Sequence, residues 1–137
     1  EALWQGIARA RAGNRLSEIS RAIQDYVEKN GFSVVRDFVG HGIGQAMHEE
    51  PQVPNYVSSL YRFDPLLKPG MTLAIEPMVN AGVFQVKVDP ADHWTVTTLD
   101  GSYSAHFEHT VLVTAGDPEI LTKPQDDQGE NGGTVRW

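Results

Sequence analysis

The chain has 137 residues, of which 40% are apolar and 21% charged, and this composition predicts one soluble globular domain. Eleven basic and eighteen acidic residues give a net charge of −7, which argues against a nucleic-acid substrate or an anionic membrane surface. The absence of cysteine excludes disulfides and thiolate metal sites, and no apolar run is long enough to span a bilayer. A cytoplasmic location is therefore expected.

Two helices are predicted at the start of the chain. Residues 1–12 are rich in helix formers and end at Gly13, whereas Asn30-Gly31 predicts the left-handed end of a second helix over 17–29. The second helix has one apolar face at helical spacing, formed by Ile19, Ala22, Ile23, Tyr26 and Val27. A helix that starts at the first residue also suggests that the chain was cut from a longer protein.

After Gly31 the composition favours strands. The predicted strands are 32–39, 71–75, 83–88, 94–99 and 106–113. Pro90-Ala91-Asp92 and Asp100-Gly101 are predicted as turns, the second as a hairpin turn. Residues 51–70 contain four prolines and are predicted to be mostly loop, and the polar residues 123–137 are predicted to form a disordered tail. Two helices followed by antiparallel strands indicate an α+β fold.

Three segments place ionisable residues where an apolar strand would favour apolar ones: His41 among glycines, Glu76 before a proline, and the run 106–110. A carboxylate in such a position needs a cation or a hydrogen-bond donor. Strand alternation predicts that His106 and Glu108 point together towards a cleft. The opposite, core-facing side is predicted to carry Phe107, His109, Val111 and Val113.

One histidine and two glutamates, His41, Glu76 and Glu108, form a donor set that suits Mn, Fe, Co or Zn. Their spacings of 35 and 32 residues are too long for a local metal motif. Taken alone, these three residues slightly favour the other interpretation, a buried histidine and two strand-end glutamates satisfied by backbone donors. Glycines on either side of His41 would let the backbone approach a ligand closely.

Other polar and aromatic residues leave two interpretations open. The run His48-Glu49-Glu50 fits a solvated turn, or His48 fits a donor to a substrate carbonyl. Asp89, Asp92 and His93 could bind a metal but are more typical of a turn beside a proline. Trp94 is more typical of a core than of a pocket wall, because tryptophan buries a large area.

Several motifs occur in one order that resembles type I methionine aminopeptidase over residues 1 to about 122. They are GHGIG (40–44), MHEEPQVPNY (47–56), LKPGMT (67–72), IEPMVNAG (75–82), WTV (94–96) and SAHFEHT (104–110). Prolidases and creatinases share the histidine and the strand-end glutamate, but they resemble the HEEPQVPNY and WTV stretches much less. The implied fold is the carboxy-terminal half of a pita-bread fold, with two helices packed on a mainly antiparallel curved sheet.

The resemblance implies roles for individual residues. His41 would be an imidazole metal ligand, Glu76 a carboxylate ligand close to the nucleophilic water, and Glu108 a carboxylate that bridges two divalent ions (Co, Mn, Fe or Zn). His48 would contact the substrate at the scissile amide. The substrate pocket would include Trp94, Met47 (where an aromatic residue is common) and His106, a polar residue that faces the site.

The implied activity is that of a metalloaminopeptidase that removes the amino-terminal methionine from nascent polypeptides. The family supplies two aspartate ligands from strands that precede the first helix of this chain, so the chain would contribute three of five ligands. An amino-terminal half supplied separately would complete the site. Two alternatives stay open: a catalytically inactive half-domain that binds peptides or a protein, and a prolidase-like peptidase that cleaves before proline.

Overall fold

A computed structural model describes residues 1–59 and 63–123. It contains the helices α1 (Ala2–Ile7) and α2 (Leu16–Lys29). The predicted apolar face of α2 is confirmed, because Ile19, Ile23 and Val27 are buried in the core. Helix α1 is shorter than the predicted 1–12, since the backbone tightens into turns after Ile7. Within these described ranges, no helix is both long enough and apolar enough to cross a membrane.

In the part of the chain that the structure describes, ten short strands follow the helices. They are β1 (Ser33–Val34), β2 (Gly40–Gly42), β3 (Glu49–Val53), β4 (Thr72–Ile75), β5 (Met78–Asn80), β6 (Val86–Val88), β7 (Val96–Thr98), β8 (Ser104–His106), β9 (His109–Leu112) and β10 (Glu119–Ile120). All the strand pairs are antiparallel, in sheets of order β1-β5-β8, β10-β9-β4-β2-β3 and β6-β7.

Two of the predicted strands are broken, because the chain leaves one sheet and enters another. The predicted strand 32–39 contains only β1, and β2 then begins in the five-stranded sheet. The predicted strand 106–113 is likewise divided between β8 and β9. A β-branched and aromatic composition favours extended backbone but does not show where that backbone bends between sheets.

Other predictions were wrong in detail. Strand β3 lies partly inside the predicted loop 51–70, and Trp94 precedes β7 and does not begin it. The predicted turn at Pro90-Ala91-Asp92, in contrast, lies in the loop between β6 and β7 as expected. Asp100-Gly101 is a turn, but it joins β7 to β8, which lie in different sheets, and so it is not a hairpin. Apart from Lys123, the predicted disordered tail 123–137 lies outside the described residues.

The turn at Asp100 is held by its own carboxylate. One oxygen accepts a hydrogen bond from the Val83 amide at 2.8 Å and the other from the Ser102 amide at 3.0 Å. These backbone donors favour the charged form and lower the pKa of Asp100 to about 2. The carboxylate therefore ties the start of β8 to the loop that follows β5.

The core lies between the two helices and one face of the five-stranded sheet. Its central members are fully buried: Ile19, Ile23, Leu73, Ile75, Val111 and Val113. Strand β4 supplies two of them from the middle of its sheet, between β2 and β9. Glu76 follows directly after this buried strand, so the core fixes the position from which its side chain emerges.

Leu73→Ala is expected to lower the free energy of unfolding by about 2–5 kcal/mol, because it empties a fully buried position in the central strand. Leu99→Ala is the matched control, since Leu99 is 58% exposed and its truncation should cost less than about 0.5 kcal/mol. Urea unfolding of both variants gives the comparison. Equal losses of stability would contradict this placement of the core.

Candidate metal centre

Two glutamates face each other at a break in a long antiparallel ribbon. Strand β4 pairs with β9, and further along the same two segments β5 pairs with β8. The register continues across the break without a slip, from Ile75 opposite His109 to Met78 opposite His106. Glu76 therefore lies opposite Glu108, and Pro77 lies opposite Phe107.

Pro77 causes the break, because proline has no backbone N–H to donate to the ladder. The Phe107 amide still donates to the Pro77 carbonyl at 3.4 Å, a long hydrogen bond. The two sheets meet at this point, with β4 and β9 on one side and β5 and β8 on the other. Like charges directly opposite each other on a ribbon are destabilising, so a bound cation would stabilise this pair of carboxylates.

The electrostatics of Glu76 reflect this arrangement. Burial raises the pKa of Glu76, and the nearby charge of Glu108 raises it further. His106 and His41 oppose this effect and lower the pKa, but the net direction is upwards. Without a cation, the folded chain thus disfavours two ionised carboxylates at the break.

His106 confirms the predicted alternation of side chains. The ligand atoms of Glu76, His106 and Glu108 all lie within 4.8 Å of one another. His106 Nε2 is 3.3 Å from Glu76 Oε2. On the opposite side of the ribbon, His109 lies against the Trp4 ring and Val111 is buried, as predicted, whereas Phe107 is 69% exposed. Phe107 is exposed because it borders an open groove beside α1.

His41 approaches Glu76 from the other side. Its Nε2 atom is 3.5 Å from Glu76 Oε1, and its Nδ1 atom is 2.8 Å from the Gly42 carbonyl. A carbonyl can only accept, so Nδ1 carries a proton and donates it. The charged ring, which lowers the pKa of Glu76, also has a proton on Nε2, whereas the neutral ring has its lone pair there. This is the tautomer that a metal-binding imidazole needs. His41 stands opposite Ala74 in the register between β2 and β4.

The glycines beside His41 serve strand packing. A Cβ on Gly40 would lie 2.2 Å from the Ala74 carbonyl oxygen, and a Cβ on Gly42 would lie 2.3 Å from the Glu50 carbonyl oxygen. Neither position tolerates a side chain without backbone movement. These contacts with neighbouring strands account for both glycines, and the approach of the backbone to a ligand stays a prediction.

Asn55 contacts the backbone of Glu76 from the buried side, and nothing in the sequence around Asn55 predicts this contact. Its side chain is almost fully buried, and its amide donates to the Glu76 carbonyl at 3.3 Å. A single asparagine between Pro54 and Tyr56 matches no metal motif or helix cap. Only the pairing of distant segments brings it to the end of β4.

The remaining predicted residues lie in different surroundings. His48 is exposed, and its ring centroid is 4.2 Å from that of His41, so the two imidazoles lie side by side. Glu49 and Glu50 are exposed but begin β3, so they do not form a turn. The interpretation of Asp89, Asp92 and His93 as loop residues is confirmed, because both carboxylates accept loop amides.

Met47 and Trp94, the predicted pocket residues, are 71% and 85% exposed. The interpretation of Trp94 as a core residue was wrong, because it lies in a loop outside the sheets, where Asp92 accepts its backbone amide. Neither residue lines the clefts that border His41 or His106. Their place in a substrate pocket stays a prediction.

The side chains present fit a divalent cation. Two imidazoles and two carboxylates converge on one edge, and nitrogen with oxygen donors suits Mn, Fe, Co and Zn. Burial first, and then the charge of Glu108, raise the pKa of Glu76, and a bound cation would offset both effects. The fold and this donor set define an α+β unit with a candidate site for a divalent metal.

Comparison with known proteins agrees with this geometry. The sequence pattern of metallopeptidase family M24 matches residues 1–115. Methionine aminopeptidase 1 of Bacillus subtilis is 56% identical over 123 residues, which cover 90% of this chain and 48% of the relative. The crystal structure of methionine aminopeptidase from Rickettsia prowazekii superposes with a TM-score of 0.84 at 46% identity, covering 89% of this chain and 48% of that one.

An Xaa-Pro dipeptidase from Bacillus anthracis is less similar, with a TM-score of 0.65 and 25% identity over 93% of this chain and 29% of its own. The chain belongs to metallopeptidase family M24. Its resemblance to methionine aminopeptidase and the predicted fold class, the carboxy-terminal half of a pita-bread fold, are both confirmed. The chain spans about half the length of the curated relatives it matches.

In the metal-free chain, Glu76 is expected to titrate above an ordinary glutamate, and Glu108→Gln is expected to lower its pKa by removing the opposing charge. The contribution of Glu76 to stability is full below the pKa of an unfolded-chain glutamate and is lost as the pH rises through the raised value. Carboxyl-carbon NMR titration measures the shift.

Glu119→Gln is the control, because it removes the same charge from the edge strand β10. It should leave the titration of Glu76 unchanged. A Glu76 that titrates like a glutamate in an unfolded peptide would contradict the description of this site.

Proposed function

We propose that this chain is the carboxy-terminal catalytic half of an enzyme that removes the amino-terminal methionine from nascent polypeptides. The observation that carries the proposal is the opposed pair Glu76 and Glu108, with His41 on one side and His106 on the other. The relatives named methionine aminopeptidase support the same substrate. Acting on nascent chains would place the enzyme in the cytoplasm.

The site would hold two divalent ions through His41, Glu76 and Glu108, and two further ligands would come from an amino-terminal half. The bound ions would supply the Lewis acid that activates water towards the scissile amide. Glu108 is suited to bridging, because it stands opposite Glu76 and is open to solvent. A half that contributes aspartates would also add negative charge, which only bound cations could balance.

The other side chains have roles that follow from their positions. Glu76, close to the water that the ions would activate, is suited to take a proton and return it to the leaving nitrogen. His48, whose ring centroid is 4.2 Å from that of His41, would donate a hydrogen bond to the substrate carbonyl. Met47 and Trp94 would form apolar walls for the methionine side chain once the amino-terminal half covers them.

The experiment is hydrolysis of a Met-Ala-Ser peptide by chain 1–137 with Co²⁺ or Mn²⁺, alone and with an amino-terminal half taken from a relative. The expected result is metal-dependent release of methionine from the complemented enzyme, which chelation abolishes and metal restores. An Ala-Pro dipeptide is expected to remain intact. Preferential cleavage of Ala-Pro would favour the prolidase-like alternative.

Glu108→Ala is the matched active-site variant. It should lower turnover by at least about 100-fold, because even partners that only orient metal ligands contribute 10–100-fold. Its metal-free form should be at least as stable as the metal-free wild type, since the residue is exposed and its removal relieves the charge opposite Glu76. Full folding without methionine release by the complemented wild type would favour the inactive half-domain.

A further inference from the structure

We propose that His106 is itself a metal ligand, which completes with Glu76 and Glu108 a three-ligand site contained entirely within this chain. This inference rests on the proposed metal-dependent function but extends its ligand set, in which His106 only faces the substrate. The supporting observations are the distances within the triad, the division of Glu76 between two imidazoles, and the open cleft beside His106.

The distances match those between two ligands of one ion. With metal–ligand bonds of about 2.1 Å, tetrahedral geometry places neighbouring ligand atoms roughly 3.4 Å apart and octahedral geometry about 3.0 Å apart. His106 Nε2 is 3.3 Å from Glu76 Oε2, and one atom from each member of the triad lies within 4.8 Å of the others. The three donors are already close enough to share an ion after small side-chain rotations.

The same distance also allows a hydrogen bond between the two side chains in the metal-free chain, so a bound cation would replace that contact. The cation would also offset the charge repulsion between Glu76 and Glu108.

Glu76 directs its two oxygens to two different imidazoles. Oε1 faces His41 and Oε2 faces His106, at 3.5 Å and 3.3 Å. Glu108 belongs to the group around His106, and His41 lies outside that group. There are thus two candidate metal positions. The position beside His41 needs further ligands from outside this chain. The position beside His106 has three donors within the chain.

The position beside His106 is open to ligands. The His106 side chain is 41% exposed and Glu108 is exposed, so further coordination positions face solvent. His106 also borders a cleft of about 280 Å³ that is lined by apolar side chains such as Val96 and by the hydroxyl side chains of Thr97, Thr98 and Ser104. A site with three protein ligands and open positions is typical of catalytic metals and not of structural ones.

The test is metal binding by the full chain 1–137, with Co²⁺ and Zn²⁺ as probes. His106→Gln keeps a polar side chain on β8 but removes the imidazole, and it is expected to weaken Co²⁺ binding by at least about 10-fold. His93→Asn is the control, because His93 has φ 54° in an exposed loop and asparagine tolerates that backbone. It should bind Co²⁺ within about 2-fold of the wild type.

Nitrogen NMR of the histidine rings gives a direct readout. Zn²⁺ is expected to shift Nε2 of His106, and the visible absorption of bound Co²⁺ is expected to change in His106→Gln. Unchanged Co²⁺ affinity in that variant, an Nε2 signal of His106 that Zn²⁺ does not move, or no metal binding by the wild type would each overturn the inference.

The failure of this inference can be distinguished from failure of the proposed function. If His106→Gln binds Co²⁺ like the wild type and its complemented form still releases methionine, His106 is no ligand and the peptidase proposal stands. If the variant loses Co²⁺ affinity but the complemented wild type releases no methionine, the ligand assignment stands and the peptidase proposal fails.

Discussion

The structure depends on one electrostatic constraint: Glu76 and Glu108 stand directly opposite each other where an antiparallel ribbon breaks. Two like charges in this register oppose the pairing of the strands that carry them. Burial adds to the cost for Glu76, whose pKa is raised. A cation removes both penalties, since it replaces lost hydration and screens the repulsion. Membership of a metallopeptidase family and the two imidazoles beside Glu76 both agree with a cation at this position.

The scaffold makes this arrangement rigid. Strand β4 is buried in the centre of the five-stranded sheet, so Glu76 emerges from a fixed point. Pro77 ends the ladder there, and the chain passes into the smaller sheet without changing register. The glycines beside His41 let β2 lie close to β4, which carries the imidazole to the same edge. The same strands therefore both form the core and hold the side chains of the site in position.

Much of the local structure could be predicted from the sequence, but the long-range structure could not. The apolar period of α2 and the left-handed Gly31 depend on nearby residues, and the alternation of His106 and Glu108 depends only on the strand period. In contrast, the bend between β1 and β2 and the opposition of Glu76 to Glu108 depend on pairing between distant segments. Trp94 was predicted to be a core residue from its size alone, and only the loop geometry shows that it is exposed.

The most direct test of the central claim is the free energy of unfolding of chain 1–137 at pH 7, measured as a function of added Co²⁺. A cation that relieves the opposed carboxylates stabilises the folded chain by mass action, so the stability should rise with the logarithm of Co²⁺ concentration above the dissociation constant. The double variant Glu76→Gln, Glu108→Gln should be more stable than the metal-free wild type and should not respond to Co²⁺. A wild type whose stability is independent of Co²⁺, or a double variant that is less stable than the metal-free wild type, would contradict the account.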